Sequence, residues 1–242
     1  MSIWLILAAI IPGLVISYYI YHIDKYERES FTPLAICFLL GILVTFPALW
    51  MQEYLDSLGF DEYGSLLQTF VYALLGVALV EEIGKFICLT LYPYHRPFFN
   101  EPLDGIVYSV MIGMGFATFE NILYAQSFGV ETILVRAITA VPAHGAFGVI
   151  MGYFVGLAKF DKGRKYWLLF QGLLFAVSLH AVYDFFLLQQ QYEGLMGLAL
   201  LCLYLGIRLS RKLIRLHLEV SPFQEKENIA ADEPDEIDNE GV

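Results

Sequence analysis

Charge is scarce in this sequence, and so is cysteine. Asp, Glu, Lys and Arg make up 16% of 242 residues while hydrophobic residues make up 58%, whereas an ordinary soluble domain has roughly 25% charged and 45–50% apolar residues. A water-soluble core could not enclose that much apolar surface, which excludes an ordinary soluble domain. The three cysteines, Cys37, Cys88 and Cys202, sit in apolar stretches without metal-ligand spacing, so they are packing residues rather than a disulfide or cysteine-metal framework. Gly/Ser linkers and internal repeats are absent, and no second folded domain is expected. The first apolar run, from Ile3 to Tyr21, has neither a basic leading region nor a small-residue cleavage site, which predicts a retained helix rather than a removed signal peptide. Also absent is H-E-x-x-H, the helical zinc-binding pair of soluble metalloproteases. Aromatic residues, at 16%, suit interfacial belts and core packing. They point to no nucleotide site, and no nucleic-acid partner is expected.

What remains is long apolar runs. A bilayer-spanning helix needs about 20 of them in succession, and seven segments qualify: about 3–22, 32–52, 67–92, 104–127, 132–158, 166–190 and 195–214. The expected fold class is all-α, a polytopic membrane bundle of about seven transmembrane helices with the lipid bilayer as its solvent. Connections at 23–31, 93–103 and 159–165 contain Lys25, Arg28, Arg96, Lys159, Lys162, Arg164 and Lys165, whereas those at 53–66, 128–131 and 191–194 contain no Lys or Arg. That alternation is the positive-inside signal. With Arg208, Arg211, Lys212 and Arg215 closing the last helix, it predicts an N-terminus outside and a C-terminus in the cytoplasm. The net charge of −11 arises mostly from Glu219 onward, where nine acids face one lysine. Two regions follow: a membrane domain over 1–218, and an acidic tail over 219–242 too polar to bury anything and expected to be disordered.

Ionisable residues in hydrocarbon cost at least about 2.5–3.5 kcal/mol each on insertion scales, so a set of them needs a cause. The third segment contains Glu81, Glu82 and Lys85. Lys85 is i,i+4 to the first glutamate and i,i+3 to the second, within reach of either along one face. Because successive helical residues point about 100° apart, the two glutamates cannot have identical roles. The fourth segment places Phe116 and Glu120 one turn apart with Asn121 alongside and Gly113 a turn before, the small residue letting a neighbouring helix approach. Phe116 is expected to pack and Asn121 to donate between helices. His144, in the fifth, follows Pro142, which removes a backbone hydrogen bond and kinks a helix. In the sixth, His180 and Asp184 are i,i+4, so the carboxylate can orient the ring. Arg136, near a helix end, is expected to snorkel outward. Counted from the outer helix ends, Glu81, Glu82, Glu120, His144 and His180 lie roughly 10–22 Å deep, with Asp184 shallower. Overlapping depth on four antiparallel helices predicts one polar cavity open to the outer face.

These motifs resemble those of the PrsW intramembrane proteases, distant relatives of the CAAX prenyl-endopeptidase and bacteriocin-immunity (CPBP) superfamily. The resemblance covers nearly all of the membrane domain and rests on E-E-x-x-K at Glu81, Glu82 and Lys85, F-x-x-x-E-N from Phe116 to Asn121, His144, and H-x-x-x-D at His180 and Asp184. The wider superfamily usually has histidine where this chain has Glu120 and arginine where it has Lys85, departures that point to the PrsW branch and away from prenylated substrates. The resemblance implies a multi-pass protein of the bacterial plasma membrane. It also implies site-one cleavage of a single-pass membrane substrate, typified by an anti-sigma factor cut near its extracytoplasmic side.

Two mechanisms use the same residues. In one, Glu81 or Glu82 is the general base for water, Lys85 makes a neighbouring charge tolerable, His144 and His180 hold the water or the oxyanion, and Asp184 orients His180. In the other, Glu82, His144 and His180 hold a divalent metal such as zinc. Relays of Glu, His and Asp also occur in proton-coupled transporters, and a non-catalytic scaffold could keep the fold. Against a transporter, the polar groups form one cluster without continuation to the inner face.

Overall fold

The computed structural model describes residues 2–59 and 65–224. The described residues form helices and connections, without strands. They comprise α1 (Ile3–Ile23), α2 (Phe31–Ser57), α3 (Leu66–Val71), α4 (Leu79–Leu91), α5 (Pro102–Phe128), α6 (Val130–Ile138), α7 (Ala140–Phe160), α8 (Lys165–Leu188) and α9 (Met196–Glu219). Five stretches are long and apolar enough to cross a membrane: Ile3–Ile23, Phe31–Ser57, Pro102–Phe128, Val130–Phe160 and Lys165–Leu188. Helices suit this chain because they satisfy every backbone N–H and C=O internally where water is absent. The bundle therefore fits a multi-pass membrane protein. The acidic tail expected to be disordered lies, from residue 225 on, outside the described residues.

α5 forms the centre. In its apolar window 78% of residues are buried, against 22% in α1, so α5 is enclosed by protein while α1 turns a wide apolar face outward. It packs most extensively on α7, with α2 and α1 on its other sides. Small residues make this possible. A Cβ on Gly115 would run into the Phe38 carbonyl of α2, and one on Gly41 into the Ile112 carbonyl of α5. The two backbones approach so closely that a side chain would have to push a helix aside rather than change rotamer. Gly115→Ala should therefore destabilise the folded bundle by about 1–3 kcal/mol. Unfolding in a detergent titration measures this, and an unchanged midpoint would show that α2 and α5 separate without cost.

Two irregularities shape the interior. The third apolar segment is interrupted: a π-helical turn, Tyr72–Ala78, joins α3 to α4. Its extra residue per turn resets the facing of everything after it, so that Glu81, Glu82 and Lys85 are all buried. The fifth segment is broken. Pro142 has no N–H to donate to the carbonyl of Ile138, α6 stops at Ile138, and Thr139 leaves helical geometry at φ −122°, ψ −76°. Gly129, at φ +81°, makes the preceding turn out of α5, a left-handed conformation that glycine adopts without steric penalty. α6 is thus a short helix set between two breaks, and it leans Arg136 over the end of α5.

Candidate functional site

The buried ionisable residues of α4, α5, α7 and α8 meet at one place. Lys85 Nζ lies 2.7 Å from Glu82 Oε1, 3.3 Å from Glu81 Oε2 and 3.2 Å from His144 Nδ1. His180 Nδ1 is 2.9 Å from Glu82 Oε1, and its Nε2 is 3.1 Å from Asp184 Oδ2. His144 Nε2 is 3.1 Å from Glu120 Oε2. All seven residues singled out by sequence, Glu81, Glu82, Lys85, Glu120, His144, His180 and Asp184, therefore belong to one connected network. Phe147 stacks on His180 with centroids 4.4 Å apart, restricting rotation of that ring, and Phe116 lies under the Lys85 ammonium at 4.1 Å, a cation–π contact as well as packing.

Sequence reasoning missed several participants. Arg136 does not snorkel outward: its Nη2 is 2.7 Å from Glu120 Oε2, and its Nε donates to Asn121 Oδ1 at 2.8 Å. Asn121 accepts in this bond, where donation was expected. The break at Thr139 causes the difference, since a continuous helix would have kept Arg136 on the turn sequence its neighbours follow. Gln52 of α2 donates from Nε2 to Glu81 Oε1 at 3.1 Å. As a neutral residue near a helix end, it carried no signal that distinguished it from an interfacial residue. Tyr72, Tyr124 and Tyr183 complete the walls.

These groups surround a cavity of about 160 Å³ lined by Gln52, Glu81, Glu120, Arg136, His144, His180 and Asp184. It lies towards the C-terminal ends of α2, α5 and α8 and the N-terminal end of α7, the ends remote from the basic connections. Glu120, Arg136 and Asp184 are partly accessible, at 14%, 14% and 16%, whereas Glu82 is at 1%. The two glutamates of α4 differ accordingly: Glu81 lines the cavity and Glu82 lies behind it, fixed by Lys85 and His180.

The donor set fits a divalent metal. Glu81, Glu82, His144 and His180 offer ligand atoms all within 4.8 Å of one another, and nitrogen plus carboxylate donors are what zinc accepts. Both imidazoles present Nε2 to a carboxylate, Glu120 for one and Asp184 for the other, and turn Nδ1 inward to Lys85 or Glu82. A carboxylate on the far nitrogen is the usual support of a metal-bound histidine. Glu82 Oε2 is buried without a hydrogen-bond partner, a further donor available to a cation.

Residues 29–208 match the family described as PrsW family intramembrane metalloprotease. The chain is similar to Protease PrsW of Geobacillus kaustophilus, 39% identical over 201 residues that cover 83% of this chain and 87% of that protein. Against Protease PrsW of Bacillus subtilis the figures are 37% over 185 residues, 76% and 82%. Protease PrsW of Clostridioides difficile gives 35% over 198 residues, 78% and 81%. No solved structure matches the chain.

Proposed function

Since this chain belongs to the PrsW family and is an intramembrane protease, we propose that peptide hydrolysis takes place in the cavity walled by α4, α5, α7 and α8, with Glu81 as general base. The contrast between adjacent glutamates carries this assignment: Glu81 faces the cavity while Glu82 is held behind it by Lys85 and His180. Glu81 takes a proton from water as the water oxygen bonds to the scissile carbonyl carbon. It then delivers that proton to the amide nitrogen as the C–N bond breaks. Gln52 holds the Glu81 carboxylate from the opposite side. The guanidinium of Arg136, on the cavity wall, supplies positive charge to the developing oxyanion, Lys85 holds Glu82 in place, and Glu120 and Asp184 fix the ring orientations of His144 and His180.

Glu82, His144 and His180 would hold a metal such as zinc, which when bound polarises the carbonyl and acidifies water. Removal of metal tests this part separately. Treating the reconstituted protease with a chelator should lower its cleavage rate by about 100-fold or more, with recovery on adding zinc. A preparation shown by metal analysis to be metal-free yet cleaving at the original rate would overturn the metal assignment. It would leave glutamate-activated water in place.

The substrate is a single-pass membrane protein, of the anti-sigma-factor type, cut by site-one cleavage near its extracytoplasmic side. The position of the cavity, at the helix ends away from the basic connections, supports that side. The finer topology completes the proposal: seven spans, counting Leu66–Leu91 and α9 with the five apolar ones, an outside N-terminus, a membrane domain over 1–218 in the bacterial plasma membrane, and a cytoplasmic tail over 219–242. Kinship with the CPBP superfamily rests on motif order alone.

A further inference from the structure

At the opposite end of the bundle, where the connection after α1 meets the start of α5, five carboxylates converge. Asp24 and Glu29 are 1% and 7% exposed, and Glu101 and Asp104 are fully buried. Ligand oxygens of Asp24, Glu101 and Asp104 lie within 4.8 Å of one another. Among the described residues, no ion pair joins Asp24, Glu27, Glu29, Glu101 or Asp104 to a Lys, Arg or His. Buried carboxylates gathered this way repel one another and are ordinarily found paired or on a metal.

The hydrogen bonds at this place have a consistent pattern. Asp104 accepts through Oδ2 from the backbone N–H groups of Asn100 and Glu101, at 2.7 and 2.9 Å, and its Oδ1 has no partner. Glu29 accepts through Oε2 from the Tyr108 hydroxyl, and its Oε1 has no partner. Glu27 accepts through Oε1 from Asn100 Nδ2 at 3.0 Å, and its Oε2 has none. In three carboxylates, one oxygen is fixed by the protein and the other is left over. Asp24, almost fully enclosed, adds two oxygens without hydrogen-bond partners from the C-terminal end of α1. One oxygen fixed and the other available, repeated across the group, is how a protein pre-sets the ligands of a cation.

We propose that Asp24, Glu29, Glu101 and Asp104 form a second metal site, one that takes a hard divalent cation of the magnesium or calcium class. The donors are all oxygen, which selects hard cations over zinc, unlike the His-containing site at the other end. Burial and the neighbouring negative charges push Asp24 and Glu29 up to about 7 and raise Glu101 above the usual carboxylate range, as uncompensated charge requires. A cation here ties the α1–α2 connection to the N-terminus of α5, the central helix, and so secures the basic-loop end of the bundle.

Binding of Mn²⁺ to the chelator-stripped full chain, followed by loss of the free Mn²⁺ electron paramagnetic resonance signal, tests this site. The variants are Asp24→Asn combined with Glu29→Gln, which keep shape and remove charge, and His180→Ala, which cripples the other site. The His180→Ala protein should bind one equivalent of Mn²⁺ that Mg²⁺ or Ca²⁺ displaces, while the double variant should bind it at least about tenfold more weakly. At pH 8, Mg²⁺ or Ca²⁺ should raise the thermal midpoint of the wild type but not that of the double variant. A His180→Ala protein without such an equivalent, together with a wild-type midpoint unmoved by both ions, would overturn the second site. The carboxylates would then be held by protons, and should the double variant not fold, the His180→Ala titration decides alone.

Discussion

Glu81→Gln should lower kcat for substrate cleavage by about 10³-fold with KM little changed, because it removes the proton acceptor at the cavity wall, along with the weaker of the two carboxylate partners of Lys85. The amide is the same size, remains within reach of Gln52 Nε2, 3.1 Å from Glu81 Oε1 in the wild type, and leaves the bond from Lys85 to Glu82 intact at 2.7 Å. Glu82→Gln should also be inactive, but for another reason. It takes the charge from the acceptor that Glu82 Oε1 offers to His180 Nδ1, 2.9 Å away, and a carboxylate from the proposed metal set. The two variants therefore separate on bound metal: Glu81→Gln should retain the wild-type stoichiometry, and Glu82→Gln should lose it. Cleavage in reconstituted vesicles, read beside metal analysis of the same preparations, makes the comparison. A folded Glu81→Gln enzyme with wild-type kcat would refute the assignment of the base, and retained metal in Glu82→Gln would take Glu82 out of the ligand set.

The order and extent of the helices could be read because the physics that sets them is local. Apolar runs of about 20 residues dictate helices in a bilayer, and the expected segments 104–127 and 166–190 lie within a few residues of Pro102–Phe128 and Lys165–Leu188. Ends that continue past the apolar run were harder. α2 extends to Ser57 and α9 to Glu219, since a helix goes on where polar residues can face water. The charged residues of the cavity apart from Arg136 could also be listed in advance, because burial of an ionisable group in hydrocarbon needs a partner whatever the fold. What the sequence did not reveal depends on helix phase and contact. Which of Glu81 and Glu82 meets the cavity follows from the π-helical turn at Tyr72–Ala78, which no periodicity announces. Arg136 turns inward because of a break that Pro142 foretold but whose direction it could not give. The carboxylates at the far end were hidden for a third reason: Asp24, Glu27, Glu29 and Glu101 lie in connections whose Lys and Arg dominate the reading, Asp104 stands in the first turn of α5, and their burial is a property of the packed bundle alone.

The same network makes Lys85 the residue on which stability should depend most. Lys85, 5% exposed, donates from its ammonium to Glu82 at 2.7 Å and Glu81 at 3.3 Å, lies 3.2 Å from His144 Nδ1 and sits over the Phe116 ring. Removing one partner from a buried ion pair leaves the other charge without compensation, a loss of about 3–5 kcal/mol. Here two carboxylates would lose their shared cation, with Glu120 and Asp184 adding negative charge at the same level and Arg136 and the His180 ring left to offset it. Lys85→Met keeps the length and apolar stem but no charge, so metal-stripped protein should lose about that much stability in a detergent unfolding titration. Lys85→Arg should retain most of it while impairing cleavage, since a planar guanidinium cannot reach three acceptors placed around a single nitrogen. Zinc added to Lys85→Met should restore part of the lost stability, because a divalent cation on Glu82, His144 and His180 replaces the missing positive charge. A Lys85→Met protein as stable as the wild type without metal would mean that the carboxylates are neutral in the folded bundle. The charge balance argued for this cavity would then have to be rebuilt around protons.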